Sequence, residues 1–159
     1  MRLTSFSDYS LRVLIYLGTT RERLATIDEI AAAYGISGNH LMKVVHHLGR
    51  HGYVETVRGK GGGMRLARAP ESINVGQVTR TTEDSFALVE CFEGGEPDCR
   101  IARVCVLRQA LSQALEAFLA ALDRYTLADL LAPERPLTRI LAPRPPARDR
   151  ATHAAPPRH

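Results

Sequence analysis

The chain has 159 residues, 45% of them hydrophobic, and its Lys and Arg outnumber Asp and Glu by four. That length suits one domain with an appendage, and that apolar content excludes a wholly disordered chain. Nothing near the start reads as a secretory signal, and no run reaches the ~18 apolar residues of a membrane helix, so a cytoplasmic protein with no membrane partner is expected.

The charge is uneven. Residues 1–70 carry ten basic side chains against five acidic, residues 71–141 seven against eleven, and residues 142–159 four against one. A basic N-terminal part suits a polyanionic partner, although charge alone fits an ordinary solvated surface equally well.

Along the chain, Phe6, Tyr9, Leu11, Val13, Leu14 and Leu17 recur at helical period, which predicts a helix over 5–18. Ser5 or Ser7 is the expected cap and Gly18 the expected stop. Thr26-Ile27-Asp28-Glu29 is a capping box, opening a short helix that runs to Tyr34. Gly35 suits the positive φ that ends it, Ile36 can plug the angle, and Ser37 can cap a helix over 38–50 with Leu41, Val44, Val45 and Leu48 inward. Two short helices joined in this way make a helix-turn-helix, or a plain helical hairpin.

The segment after the second helix favours a helix-turn-helix. Tyr53–Val57 and Met64–Ala67 alternate as strands around a basic tip, Arg58-Gly59-Lys60-Gly61-Gly62-Gly63. A hairpin in that place is a wing. A phosphate-cradling loop is the competing reading, but no Gly-Lys-Ser/Thr opens a helix here. The early turns of a recognition helix meet base edges in the major groove, so Ser37, Asn39, His40 and Lys43 are candidate double-stranded DNA contacts. Asn39 can read adenine and Lys43 a phosphate. Arg58, Lys60 and Arg65 of the wing suit the minor groove or its phosphates. His46, His47 and His51 are expected at the surface.

A short helix is predicted from Asn74 to Glu83. An acidic stretch then holds every cysteine of the chain, Cys91, Cys99 and Cys105, in the spacing C-x7-C-x5-C. A tight cluster in a cytosolic protein points to metal more than to disulfides. The spacing is wider than the usual zinc knuckle, and iron–sulfur clusters accept looser spacing. Iron–sulfur, zinc and unligated thiols all remain open on spacing alone.

Leu107, Leu111, Ala114, Leu115, Phe118, Leu119 and Leu122 predict a long amphipathic helix over 104–124, packed on its own domain or paired with its twin in a homodimer. A further helical segment over 125–141 should be interrupted at Pro133 and Pro136. Residues 142–159, with five prolines and four arginines, read as a disordered tail.

Four stretches carry a family likeness: Leu3–Tyr9, Tyr34–His40, Gly52–Val54 with Val57–Lys60, and Asp123–Leu130. With the cysteines they make the chain similar to the Rrf-type family of winged-helix iron–sulfur transcriptional regulators, and most like its nitric-oxide-sensitive repressors. The resemblance implies a mainly α fold in four parts. These are a winged helix-turn-helix with a two-stranded wing over 1–82, a cysteine-containing cluster loop over 83–105, a long dimerisation helix and C-terminal helical segment over 104–141, and the tail. No enzyme activity is expected, because the chain lacks a nucleophile–base constellation, a cofactor fingerprint and a substrate domain. The resemblance implies a homodimer on a palindromic operator, released by nitric oxide, with one cluster per subunit, [4Fe-4S] favoured over [2Fe-2S]. Cys91, Cys99 and Cys105 match the family's thiolates, although the seven-residue gap between the first two is a mild departure. The fourth ligand implied is Asp8 from the partner's first helix. Asp8 also fits an ordinary role, an i,i+4 pair with Arg12, and the two could alternate as a switch. An iron-status or redox sensor of the same fold and a zinc-stabilised DNA-binding protein are the alternatives.

Overall fold

The computed structural model describes residues 2–92 and 99–142. The tail expected over 142–159 therefore lies, apart from Ala142, outside the described residues, as does the stretch 93–98 between the first two cysteines.

Helix α1 spans Ser5–Thr19. Its cap is Thr4, not Ser5 or Ser7: the Thr4 hydroxyl accepts the Ser7 N–H at 3.2 Å. Ser7 is instead buried, its hydroxyl 2.7 Å from that of Thr82. Gly18 does not stop the helix. It lies inside α1 and is buried, because a Cβ there would collide with the Leu131 side chain. A small residue lets the C-terminal part of the chain dock on α1.

Helix α2, Ile27–Tyr34, has the expected capping box, with Thr26 and Glu29 each accepting the other's backbone N–H. Gly35 closes it at φ 66°, a left-handed conformation that a side chain would strain. Helix α3, Gly38–Arg50, starts from the Ser37 cap and buries Leu41, Val44, Val45 and Leu48, as its periodicity requires.

The wing pairs β1, Val54–Val57, with β2, Gly63–Leu66, antiparallel and with Val54 opposite Leu66. A third segment joins it. Ala25 and Met64 exchange two backbone hydrogen bonds of 2.9 and 2.8 Å. Nothing in the sequence around Ala25 signals a strand, because one bridged residue has no periodicity.

Helix α4 is Val75–Thr82, capped by Asn74. Helix α5, Val106–Asp123, begins two residues later than the predicted 104 because Ala102–Val104 forms a separate 3-10 turn and Cys105 is the cap. Helices α6, Leu127–Leu130, and α7, Glu134–Leu141, follow in the described residues. The expected break at Pro133 is present. The one at Pro136 is not: this proline sits in the first turn of α7, where its missing N–H costs no helical bond.

Val13, Leu14, Tyr16 and Leu17 of α1 are almost fully buried among residues of α2, α3, β1, β2, α4 and α6. Each such aliphatic side chain contributes about 1.5–3 kcal/mol by leaving water. The first helix is therefore the axle of the fold, and α3 lies along it with one face free. Helix α5 differs: none of its 18 residues is buried, and Val106 and Leu107 are 77% and 65% exposed. Among the described residues, no helix is long and apolar enough to cross a membrane.

Candidate nucleic-acid interface and metal centre

With Leu41, Val44, Val45 and Leu48 turned into the core, the other side of α3 is fixed by the helical repeat. Asn39, Lys43, His46 and Arg50 succeed one another at three- and four-residue steps, and all four are exposed. Met42 flanks this stripe and is 53% exposed. The expected contacts Asn39 and Lys43 thus stand together. His46, Arg50 and Met42 belong with them and were not singled out from the sequence. The signal was present, since extending the Asn39 spacing by two turns reaches both His46 and Arg50. Ser37 is at the head of the helix with its hydroxyl capping the His40 N–H at 3.4 Å. The exposed His40 ring is 6.2 Å from that of Tyr9 on α1.

In the wing, Arg58 and Lys60 are exposed at the tip, with no ion-pair partner among the described residues. The tip turns on Gly59, at φ 99°, with the Gly62 N–H donating to the Gly59 carbonyl at 2.9 Å. Arg65 is different. It stands opposite Glu55 across the hairpin, and its Nε donates to the carboxylate at 3.0 Å. Its charge is partly answered within the protein, so it is a weaker phosphate ligand than Arg58 or Lys60.

The start of α1 is clasped to the end of α4. Thr4 donates both its N–H and its hydroxyl to Glu83, at 2.8 and 3.0 Å, beside the buried Ser7–Thr82 contact. The cysteine-bearing segment leaves α4 at this point. All three cysteines are free thiols, with Cys91 and Cys105 half-buried and Cys99 exposed. Among the described residues, no three His, Cys, Asp or Glu side chains converge as a metal site.

The chemistry nonetheless fits an iron–sulfur group. Three unpaired soft donors lie within fifteen residues of sequence. Cys105 caps α5, its Sγ accepting the Arg108 N–H at 3.4 Å, where the helix dipole favours negative charge. An open cavity of about 770 Å³, lined by Phe86, Phe92, Ala102, Cys105 and Leu115 among others, adjoins that thiol.

Asp8 has its ordinary partner here. Arg12 grips both carboxylate oxygens, at 3.0 and 2.9 Å, on the exposed side of α1. The same guanidinium lies 5.7 Å from the Tyr34 ring, linking this pair to α2. Burial pushes the Tyr34 phenol up to about 12, against the lowering pull of Arg12, so it stays neutral.

His47 is not the free surface residue expected. Its ring meets Phe6 edge-on at 5.2 Å and lies 4.2 Å from that of His51, and Nε2 is buried with no hydrogen-bond partner among the described residues. Burial first, then the charge of His51 and more weakly of Arg50, lower its pKa, against the pull of the Thr81 backbone and Asp84. A lowered imidazole pKa means that the folded state binds its proton less readily than the unfolded one. Its contribution is therefore whole above the unfolded value of about 6.5 and is lost as pH falls through it. The His47→Leu protein is expected to lose less of its thermal midpoint than wild type between pH 7.5 and pH 5.5. Equal losses would show that another group controls the acid side.

Comparison with known proteins identifies the family of the chain. A family model described as Rrf2, iron-dependent transcriptional regulator, matches residues 3–133. The chain is 52% identical over 142 residues to the HTH-type transcriptional regulator NsrR of Bacillus subtilis, covering 89% of this chain and 97% of that protein. It is 50% identical over 145 residues to the NsrR regulator of Geobacillus kaustophilus, covering 91% and 99%. Among solved structures it is similar to CymR, the global cysteine regulator of B. subtilis, with a TM-score of 0.66 and 26% identity over 82% of this chain and 95% of that one. IscR of T. potens gives the same TM-score at 25% identity, over 82% and 86%.

Proposed function

The chain belongs to the Rrf2 family of transcriptional regulators, and from that premise we propose that it is a nitric-oxide-sensing repressor acting as a homodimer on palindromic operator DNA. The observation that carries the DNA part is the single exposed stripe of α3, Asn39, Lys43, His46 and Arg50, flanked by the wing cations Arg58 and Lys60. One helix face with base-reading and phosphate-binding side chains suits the major groove, and a glycine-rich basic tip suits the neighbouring backbone or minor groove.

The homodimer rests on α5. A helix of 18 residues that only half-buries Leu111, Leu115, Phe118 and Leu122 against its own chain leaves Leu107 and Ala114 exposed to be covered, and a second copy offers the same stripe in return. Nitric oxide as effector rests on the likeness to the NsrR regulators.

Cys91, Cys99 and Cys105 would hold an iron–sulfur cluster, with [4Fe-4S] favoured, and the partner subunit's Asp8 would complete the set. When bound, the cluster supplies iron atoms reactive toward nitric oxide. The chain's own residues supply the coupling. Asp8 has two partners to choose between, Arg12 of its own helix and a metal. The Thr4–Glu83 and Ser7–Thr82 contacts join α1 to the root of the cysteine segment, so a shift there is felt by the axle on which α3 lies. A ligand moves such an equilibrium only through different free energies in its two states, and the choice of Asp8 provides that difference.

The test is anaerobic purification with iron and sulfide analysis, then operator binding before and after nitric oxide. Iron with sulfide, and operator affinity that falls on exposure, are expected. Zinc without sulfide, or binding indifferent to nitric oxide, would overturn the sensor.

A further inference from the structure

The outward face of α3 has one feature that phosphate binding and hydrogen-bonded base reading leave unused. Of its exposed residues, Asn39, His40, Lys43, His46 and Arg50 are polar or charged, and Gly49 has no side chain. Met42 is the only apolar side chain among them, and it is 53% exposed. It borders an open groove of about 550 Å³ between α3 and the wing. The groove is bordered by apolar Val45, Val54 and Met64 and also by His46 and Arg50.

We propose that Met42 is a specificity-determining residue that packs on the C5-methyl group of an operator thymine. The inference rests on the reading that α3 enters the major groove. Among the groups that base edges present there, the thymine methyl is the one apolar feature. It lies at the rim of the groove, near its own strand's sugar–phosphate backbone. Met42 stands in the corresponding place, at the margin of the α3 stripe and toward the wing. Arg50 beside it supplies positive charge for the adjacent phosphates, and the His46 ring can hydrogen-bond to them. A groove with apolar walls and the Arg50 cation along it matches a thymidine edge better than it matches a purely polar base. The unbranched thioether suits the contact because it adapts its shape to a methyl group without demanding one rotamer.

The experiment uses the full-length protein, purified anaerobically with its metal. Selection from random double-stranded DNA supplies the operator, and each thymine of a half-site is then replaced singly by deoxyuridine. That change removes the methyl group and leaves the hydrogen-bonding edge intact. One symmetric thymine position is expected where wild type loses about fourfold in affinity, the worth of one buried methyl. In the Met42→Ala protein the same replacement should change affinity by less than about 1.5-fold, the signature of coupling in a double-mutant cycle. Met42→Leu should keep most of the wild-type response. Affinity for random-sequence DNA and its salt dependence should be the same in all three proteins, because no phosphate contact is removed. The inference is overturned if the deoxyuridine and Met42→Ala losses simply multiply, or if Met42→Ala weakens random and operator DNA alike. Failure to select any sequence would overturn the DNA-binding reading and this inference together. A clear operator without a coupled thymine would overturn this inference alone.

Discussion

Cys105→Ser protein purified without oxygen is expected to contain almost no iron or acid-labile sulfide and to lose its response to nitric oxide. The substitution separates the capping role of this side chain from its proposed role as a ligand. As the cap of α5, Cys105 accepts the Arg108 N–H, and a serine hydroxyl does this at least as well. Helix content and thermal midpoint of the metal-free protein should therefore stay within the error of wild type. As a metal ligand, the thiolate has no equal in a hydroxyl. Losing only a hydrogen-bond partner of a ligand costs roughly 10–100-fold in metal affinity, so losing a ligand itself should cost more than about 100-fold. Elemental analysis and visible absorption read the outcome directly. Iron at wild-type stoichiometry in the variant would remove Cys105 from the ligand set and shift attention to Cys91 and Cys99.

The Gly63→Ala substitution should be strongly damaging to the wing. A Cβ at this position would lie 2.6 Å from the Ala25 carbonyl oxygen and 3.0 Å from the Leu24 Cβ, and the first of these is backbone that cannot rotate away. Relief requires β2 to part from the 24–25 segment, which gives up the two Ala25–Met64 hydrogen bonds of 2.9 and 2.8 Å. At about 1 kcal/mol for each of the two bonds, with about 1–3 kcal/mol of packing strain, the loss is about 3–5 kcal/mol. For a domain of this size that lowers the thermal midpoint by about 10 °C. Gly38→Ala is the control, because its Cβ meets only an Ile27 methyl at 3.6 Å, and its effect should stay within about 1 kcal/mol. Similar midpoints for the two variants would show that the wing does not depend on the Ala25 bridge. Because β2 also carries Arg65 and ends the loop of Arg58 and Lys60, Gly63→Ala should weaken DNA binding as well.

These two positions differ in how plainly the sequence marks them, and so do the elements around them. The capping box of α2, the Gly35 turn, the Ser37 cap and the inward face of α3 are written within a few neighbouring residues. Each depends on hydrogen bonds and side-chain spacing within one or two helical turns. The wing was equally legible, because alternation about a glycine-rich basic tip has few other meanings. The cysteines announced a site by composition alone. The fourth ligand proposed for them is not marked in this way: Asp8 is 83 positions before Cys91, and only a family likeness connects them.

Other assignments needed the folded chain. Gly18 reads as a helix stop until Leu131, far along the sequence, is found against it. Arg65 reads as a free wing cation until strand register sets it opposite Glu55. His47 reads as a surface residue until Phe6 and His51 enclose it. The same holds for Ala25, a single bridged residue. By itself, then, the sequence determined the local elements, their caps and the chemical character of each half, since these arise from interactions between near neighbours. Tertiary structure decided which glycine is a contact, which cation is free and which histidine is dry. Those properties belong to pairs of segments distant in sequence, and no spacing within either segment encodes the meeting.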